Sequence, residues 1–471
     1  MFGDGINSVA FAVGAIKSIE SPLFRITGKN LMKRDAFRSW GRVQTVHSPC
    51  IDYLCTDQVI PLSKDVKRLA FGLGRSCGDG CLLSEGVVVR MRGLNKLSQF
   101  DRETGILQAE AGVTFSEILE RVVPEGWFLP TTPGTRFVTL GGAIANDVHG
   151  KNHHGAGSMG CHVRRFCLLR SDGSHLVCSP KENGILFAAT IGGLGLTGII
   201  LWAEIQLERV PSAWLNVELI PFMGVSEFMS LSDESAKSWD HSVAWIDAAA
   251  SGSNFGRGIY IRGNFAEEGW SNKESRKLHL PPRLTIPCSM PNFMLNALSI
   301  KVFNSLYFHR VPSSGKKLLQ HYEPFFYPQD VIDDWNRISG KRGFFEYQSV
   351  IPKVAGLDPL KEMTHEIALS GEAPFLAVLK TFGIRRSPGM LSFPKEGVTL
   401  SLDFPNRGQS TLRLFDRLDA IVRAAKGRLN PAKDGRMCPE DFRNGFPGLN
   451  TFLPEVDPAS YSNFWKRVAP A

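Results

Sequence analysis

Four glycine clusters lie between Gly72 and Gly198, interleaved with segments that read as short strands, and no other feature narrows the fold as far. The first, Gly72-Leu-Gly-Arg-Ser-Cys-Gly-Asp79, continues a strand-like run that begins at Val66. Glycine lets backbone N–H groups converge on an anion, and Arg75 adds charge; the other reading of this cluster alone is a plain tight turn. The second, Pro133-Gly-Thr-Arg-Phe-Val-Thr-Leu-Gly-Gly-Ala-Ile-Ala145, places Thr139 to cap a short helix whose N-terminus would face a phosphate. Gly141, Gly142, Ala143 and Ala145 are small enough for close packing on a flat ligand. The third, His149-Gly-Lys-Asn-His-His-Gly-Ala-Gly-Ser158, carries three histidines without the carboxylate–histidine spacing of a metal helix. Its glycines predict a ligand-facing loop and no metal site, with plain packing the alternative for His153 and His154. The fourth contains Gly193-x-Gly195-x-x-Gly198, the spacing of a nicotinamide-binding turn. That turn must open a helix, whereas Ile199-Ile-Leu-Trp-Ala203 reads as a strand, so a nicotinamide dehydrogenase has the least support. Together the clusters imply one extended ligand touched from many sides, best matched by a dinucleotide with a large flat head.

The rest of the chain is a mixed α+β pattern. Gly86–Met91 and Ile106–Val113 read as strands, and Thr114-Phe-Ser-Glu117 has the spacing of a capping box. The helix behind it sets Ile118, Leu119, Val122 and Val123 inward and ends at Pro124. Phe166–Leu169 and Ile199–Leu207 add strands, and the composition shifts near residue 209. Beyond it Val243–Ile246, Gly258–Arg262, Gln348–Ile351 and Val398–Phe404 predict a second sheet. Leu412–Arg423 reads as an amphipathic helix with Leu414, Phe415, Leu418 and Ile421 inward. A net charge of +8 favours anionic partners, and no basic run or zinc-finger spacing points to nucleic acid. The nine scattered cysteines are expected to be reduced thiols in a cytoplasmic setting. No apolar run reaches membrane length, so contact with a membrane is expected to be peripheral at most.

The string from Thr132 to Val163 resembles the decaprenylphosphoryl-β-D-ribose 2′-oxidase family, FAD-binding oxidoreductases of the vanillyl-alcohol-oxidase type. The resemblance continues through Trp335-Asn-Arg337, Tyr347–Pro352, Lys380-Thr-Phe-Gly383, Leu391-Ser-Phe-Pro394, Asp403-Phe-Pro405 and Ala432-Lys-Asp434, from about residue 38 to the C-terminus. It implies a two-domain α+β flavoprotein: an extension over 1–37, an FAD domain over 38–208, an inserted antiparallel-sheet substrate domain over 209–424, and 425–471 returning to the FAD domain. It implies oxidation of the 2′-hydroxyl of a polyprenyl-phosphate ribose to a ketone. A short-chain NAD(P)-dependent reductase partner would then complete an epimerisation to arabinose, at the inner face of the membrane.

By the same resemblance His149 and Lys433 are the catalytic candidates. The FAD contacts would be Gly72, Leu73, Gly74, Arg75, Ser76 and Cys77 in the first cluster and Pro133, Gly134, Thr135, Val138, Thr139, Gly141, Gly142 and Ala145 in the second. Gly150, Asn152, His153, Gly157, Ile199 and Asn430 complete that set. Lys151, Phe326, Arg337, Gln348, Lys380, Thr399 and Ser401 would meet the substrate. Asp79, with Cys77 just before it, stands where a flavin-linking histidine often lies in the wider superfamily, which implies non-covalent FAD. Ser401, Thr399, Glu346 and Asn430 depart from the family's cysteine, asparagine, glutamine and tyrosine, so the floor of the site differs.

Read from residues alone, Lys380 in the apolar run Phe375–Phe382 calls for a partner or ligand, since an unpaired buried charge is costly. Lys433 alone reads as a loop lysine. The basic, aromatic stretch Arg276–Tyr327, helical around Phe293–Phe308, fits either a membrane-docking element or a core helix with a solvated flank. A soluble aldose or alditol oxidase using oxygen, and a non-catalytic flavoprotein scaffold for an epimerase partner, remain as rival readings.

Overall fold

The strand-and-turn texture of the first half resolves into two small sheets in a computed structural model, which describes residues 33–60, 62–250, 256–267 and 284–470. Residues 1–32 of the expected extension, and 276–283 of the basic stretch, lie outside the described residues. The extension ends earlier than expected, because Arg34–Arg38 already forms β1, with Phe37 buried against Phe71 at 5.1 Å between ring centroids. β1 pairs antiparallel with β2 (Thr45–Asp52), and β2, β4 (Val87–Arg90) and β3 (Arg68–Phe71) run parallel in the order β1-β2-β4-β3.

The second sheet is antiparallel, order β5-β6-β10-β8-β9, from β5 (Leu97–Phe100), β6 (Ile106–Glu110), β8 (Val163–Leu169), β9 (His175–Cys178) and β10 (Ile199–Gln206). A short ladder joins β7 (Trp127–Phe128) to β11 (Glu208–Arg209). The capping box at Thr114 forms: its hydroxyl accepts from Glu117 N–H at 3.2 Å while Glu117 Oε2 accepts from Thr114 N–H at 2.7 Å. The helix it opens, α1 (Phe115–Val122), buries Ile118, Leu119 and Val122 against the sheet. In the connecting segments lie α2 (Leu140–Ala145), α3 (His153–Ala156) and α4 (Gly184–Thr190). The third glycine cluster is therefore not wholly loop. Asn152 O accepts from the amides of Gly155 and Ala156, making one helical turn that Gly157 ends at φ +78°.

A single antiparallel sheet dominates the remainder, order β16-β12-β14-β13-β19-β20-β18-β21. Its strands are β12 (Trp214–Met223), β13 (His241–Ile246), β14 (Arg257–Phe265), β16 (Lys316–His321), β18 (Phe344–Pro352), β19 (Leu376–Phe382), β20 (Gly397–Pro405) and β21 (Arg428–Leu429). A parallel two-residue pair, β15 (Leu284–Thr285) with β17 (Ile332–Asp333), stands beside it in sequence. Successive side chains on a strand point to opposite faces. Ala244, Tyr260, Tyr347, Leu379, Leu400 and Leu402 accordingly join the core under α5 (Val225–Ser235), α8 (Asp358–Ser370) and α9 (Gln409–Ala424). As expected, Leu414, Phe415, Leu418 and Ile421 are the buried stripe of α9. The other face of the sheet, carrying Val243, Trp245, Glu346, Gln348, Val378, Lys380, Ser401 and Asp403, is free to floor a cleft. Two further helices of this part are α6 (Ala297–His309) and α7 (Tyr322–Phe326).

The last segment first supplies the edge strand β21 to the large sheet, then crosses to the first one. Arg68 N–H donates to Ala459 O (2.7 Å), Tyr461 N–H to Arg68 O (3.0 Å) and Asn463 N–H to Leu82 O (2.8 Å). After α10 (Pro439–Gly445) and α11 (Leu449–Phe452), α12 (Asn463–Val468) buries Phe464, Trp465 and Val468. Arg467 of that helix pairs with Asp79 at 2.7 Å. No helix among the described residues is long and apolar enough to cross a membrane.

Candidate functional site

The glycine clusters, the large sheet and the returning C-terminal segment enclose a cleft of about 2550 Å³, its open mouth included. Its walls include Gly72–Ser76, Pro133–Thr135, Val138, Thr139, Gly141, Gly142 and Ala145, with Gly195 and Gly198 of the fourth cluster. The backbone amides of Leu73, Gly74, Arg75 and Ser76 donate to no other described residue, leaving successive N–H groups for an anion. Gly74 makes this turn possible at φ +62°, with Phe71 and the Arg38 carbonyl close behind it. Arg75 lies over Trp40, 3.9 Å from the ring centroid, and its Nε donates to Phe137 O at 3.0 Å.

The second cluster works differently from the sequence expectation. Thr139 does cap α2, accepting from Gly142 N–H at 3.3 Å, but Leu140 N–H and Gly141 N–H donate to Val113 O and Ala111 O, both at 2.8 Å. With those donors consumed, the helix N-terminus has little left for a phosphate. Its glycines serve close approach instead.

The polar groups of the sheet floor form two networks. In the first, Ala432 N–H donates to Asn430 Oδ1 (3.1 Å), which turns Asn430 Nδ2 toward Gln348 Oε1 (2.8 Å). Gln348 Nε2 must then donate, to Thr399 Oγ1 at 3.1 Å and to His149 Nε2 at 3.2 Å. His149 thus accepts at Nε2, while its Nδ1 is buried without a partner among the described residues. Burial, reinforced by Lys380, His153 and Lys433, holds His149 well below the ordinary histidine range, so the ring is neutral.

In the second network Glu346 accepts from three groups, each at 2.9 Å: Lys433 Nζ and Cys77 Sγ on Oε2, and Ser401 Oγ on Oε1. Burial alone would raise the Glu346 carboxyl, but Lys433 and the two hydrogen bonds bring it below the ordinary value. Burial likewise opposes the Lys433 charge, and Glu346 reverses that, lifting Lys433 above the ordinary lysine value. Asp403, opposite Glu346 in the β18–β20 register, is raised well above the carboxylate range by burial and then by Glu346. The two carboxyls therefore share one negative charge.

Two further lysines face the cleft. Lys380 has no hydrogen-bond or ion-pair partner among the described residues, and burial next to Lys433 lowers it to about 8. Lys151 donates to Phe325 O beneath the Phe325 ring, and burial with Lys380 nearby lowers it to about 7.

Several expected contacts stand behind the cleft wall. Thr399 is buried under Gln348 and donates to Ser349 O, so it supports the floor rather than forming its surface. Cys77 is spent on Glu346, and burial and that carboxylate push its thiol well up. Asn152 donates to Pro130 O at 2.7 Å, Gly150 packs on Thr131 and Thr132, and His153 packs on Phe382. Gly157 packs on Cys161 and Arg385, and Ile199 belongs to the core between the first two sheets. Arg337 lies away from the cleft altogether: it donates to Ile286 O and Pro287 O and pairs with Asp334 at 2.8 Å. Phe326 and Lys151 are wall residues of the cleft. Trp40, Trp245, Tyr307 and Asp403 are wall residues that the sequence reading missed, although Asp403 and Trp245 continue the two-residue spacing of their strands. Among the described residues no three His, Cys, Asp or Glu gather as a metal site.

Residues 61–179 match a family described as the FAD binding domain. The chain is 35% identical to decaprenylphosphoryl-β-D-ribose oxidase from Mycolicibacterium smegmatis, over 82% of this chain and 84% of that protein. It is 32% identical to an uncharacterized protein from the mprA 5′ region of Streptomyces coelicolor, over 74% of this chain and 97% of that one. L-gulonolactone oxidase from Scyliorhinus torazame is 30% identical over 32% of this chain and 33% of its own length. The chain belongs to the FAD-binding oxidoreductase family that includes decaprenylphosphoryl-β-D-ribose oxidase. The cleft of this flavoenzyme suits the cofactor on its own terms. A Cβ placed on Gly134 or Gly195 would meet nothing within 4 Å, so both glycines look onto open space in the cleft that Leu73–Ser76 of the first cluster also line. The two-domain, vanillyl-alcohol-oxidase-type architecture and action on alcohol groups follow with the family.

Proposed function

We propose that this flavoenzyme oxidises the 2′-hydroxyl of a ribose carried on a polyprenyl phosphate, as the first half of an epimerisation to arabinose for cell-envelope polysaccharide. One observation supports the amphiphilic substrate most directly: the floor changes character across a single register row. Gln348 pairs with Ser401, Ser401 with Val378 and Val378 with Trp245, and Trp245 meets Tyr307 of α6 at 4.7 Å. A sugar phosphate suits the polar end, where Lys380 and Lys151 offer cationic donors; a hydrocarbon tail suits Val378, Trp245, Ile261 and Tyr307.

Bound FAD supplies the acceptor for the carbon-bound hydrogen. The chain supplies the rest. Lys433, kept charged by Glu346, gives a fixed positive site in a low-dielectric cleft. His149 is neutral, as a proton acceptor must be, and among the described residues its Nε2 is held only by the long 3.2 Å contact to Gln348. A substrate hydroxyl that displaces this donor leaves Gln348 with Thr399 and hands its proton to His149. Non-covalent attachment of FAD is supported by the occupation of both side chains near the linking position, Cys77 by Glu346 and Asp79 by Arg467. A short-chain NAD(P)-dependent reductase would take the ketone onward, on the inner side of the membrane with which the enzyme makes peripheral contact.

The test is an absorption spectrum before and after acid precipitation, then anaerobic addition of polyprenyl-phosphoribose. Released FAD together with bleaching by that lipid is expected. Rapid peroxide formation with free sugars, without bleaching by the lipid, would instead favour a soluble sugar oxidase.

A further inference from the structure

Helix α6 is apolar on two sides. Its inner side packs Ile300 and Asn304 against the large sheet's surroundings, with Tyr307 and Phe308 half-buried and Val311 following. Asn304 Nδ2 donates to Asp247 Oδ1 at 2.8 Å, which anchors the helix in one rotational setting. That setting turns a second apolar stripe outward: Leu298, Val302 and Leu306 recur every four residues at 72%, 53% and 71% exposure, with Phe303 at 57% beside them. Phe293 and Met294, just before the helix, are exposed as well. A run of large apolar side chains this dense, on one ridge and in water, is not an ordinary surface.

The charges around the stripe are basic. Lys301, Arg310 and Lys316 are exposed, and Lys301 and Lys316 make no ion pair among the described residues. Lys317 is exposed too, although it pairs with Glu218 at 2.8 Å. Arg310 lies 3.8 Å over the Tyr307 ring. An apolar ridge bordered by cations is the pattern that settles into the headgroup–acyl boundary of an anionic bilayer. The position of the ridge gives the contact a use, because Tyr307 of the same helix is a wall residue of the cleft.

We infer that α6 docks this enzyme on an anionic lipid surface, with Leu298, Val302, Phe303 and Leu306 in the acyl layer and the cleft's apolar end opening beside it. The lipid-linked substrate proposed above gives this docking its purpose, and the docking deepens that reading by naming the element that meets the membrane. The helix's geometry stands without it.

Co-sedimentation with vesicles tests it, using phosphatidylcholine mixed with phosphatidylglycerol and, in parallel, phosphatidylcholine alone. Wild-type protein is expected to bind the mixed vesicles more tightly than the neutral ones. The double variant V302E/L306E should lose about tenfold or more in binding, while L369E, at an equally exposed leucine on α8, should not. Flavin content and thermal midpoint, unchanged in both, would show that the exposed substitutions left the fold intact. Wild-type protein left in the supernatant, or V302E/L306E binding as wild type does, overturns the inference. So does a wild-type dimer that V302E/L306E converts to monomer without any vesicle binding, since a second copy would then be the occupant. Bleaching by detergent-solubilised polyprenyl-phosphoribose reads the substrate separately: vesicle binding without bleaching sinks the substrate and keeps the docking helix, and bleaching without vesicle binding does the reverse.

Discussion

Glu346 is the residue on which the polar end of the cleft turns, because it is the ion-pair partner of Lys433 and the largest influence keeping that lysine charged. Removing one partner of a buried pair leaves the other charge uncompensated, which costs several kcal/mol when fully desolvated. Lys433 keeps 32% of its side chain exposed, so Glu346→Gln should cost about 1–3 kcal/mol in chemical denaturation at pH 7. The sign with pH follows from the lowered carboxyl: the wild-type advantage is complete above the ordinary glutamate range and fades as pH falls through the depressed value. Lys380 has the opposite balance. At pH 7 both folded and unfolded chains carry its charge, and the folded one bears the whole desolvation cost. Lys380→Met should therefore stabilise flavin-free protein by about 1–3 kcal/mol at neutral pH, a gain that disappears between pH 8 and the ordinary lysine value, where the folded chain loses its proton first. The same substitution should weaken anion binding in the cleft, measured by titration with polyprenyl phosphate. At this scale the sequence was legible where one residue contradicts its surroundings, as Lys380 does in its apolar strand. It was not legible for the orientation chain, whose links join residues 82 and 199 positions apart.

Among elements, the glycine loops divide by what stands in front of each α-carbon. Gly134 faces open cleft, so Gly134→Leu should fold with little change in stability yet reduce FAD affinity about tenfold or more by filling the cofactor's space. A Cβ on Gly78 would stand 1.8 Å from the Asp434 carbonyl, so Gly78→Ala must force the C-terminal loop away and should lower both stability and flavin content. Fluorescence titration with FAD beside a denaturation curve separates the two. The clusters themselves announced a cofactor, and the capping box, the small helix after Thr139 and the stripe of α9 were all readable from spacing. What spacing cannot give is where a donor already points. The start of α2 looks ready for a phosphate in sequence, but Val113 and Ala111, on a neighbouring segment, have taken its amides. Helix α6 presents the same difficulty: an apolar run reads alike whether one side or both find partners.

For the whole molecule, the return of the C-terminal segment makes the cofactor site a product of both chain ends. Phe464 is fully buried, sits in the core under the large sheet, and is a wall residue of the cleft. Phe464→Ala should cost about 3–5 kcal/mol and release flavin at a lower temperature than wild type, with loss of yellow colour and loss of structure following one curve. Two separate transitions would mean that the ends are less tightly joined than their hydrogen bonds suggest. The large sheet was foreshadowed by the strand-like segments beyond residue 209, whereas the division of the first half into two sheets and the crossing of β21 into the large one were not, since a two-residue strand carries no periodicity. The graded floor has its own consequence for turnover. A ligand long enough to reach from Lys433 to Tyr307 lies over Val378 and Trp245 with a part that losing two hydrogens does not change. Those contacts grip alcohol and ketone alike and add nothing to the rate of the chemical step. Choosing between what has reacted and what has not is left to the few polar atoms at one end, and departure of the product must be slow unless something outside the cleft draws the tail away.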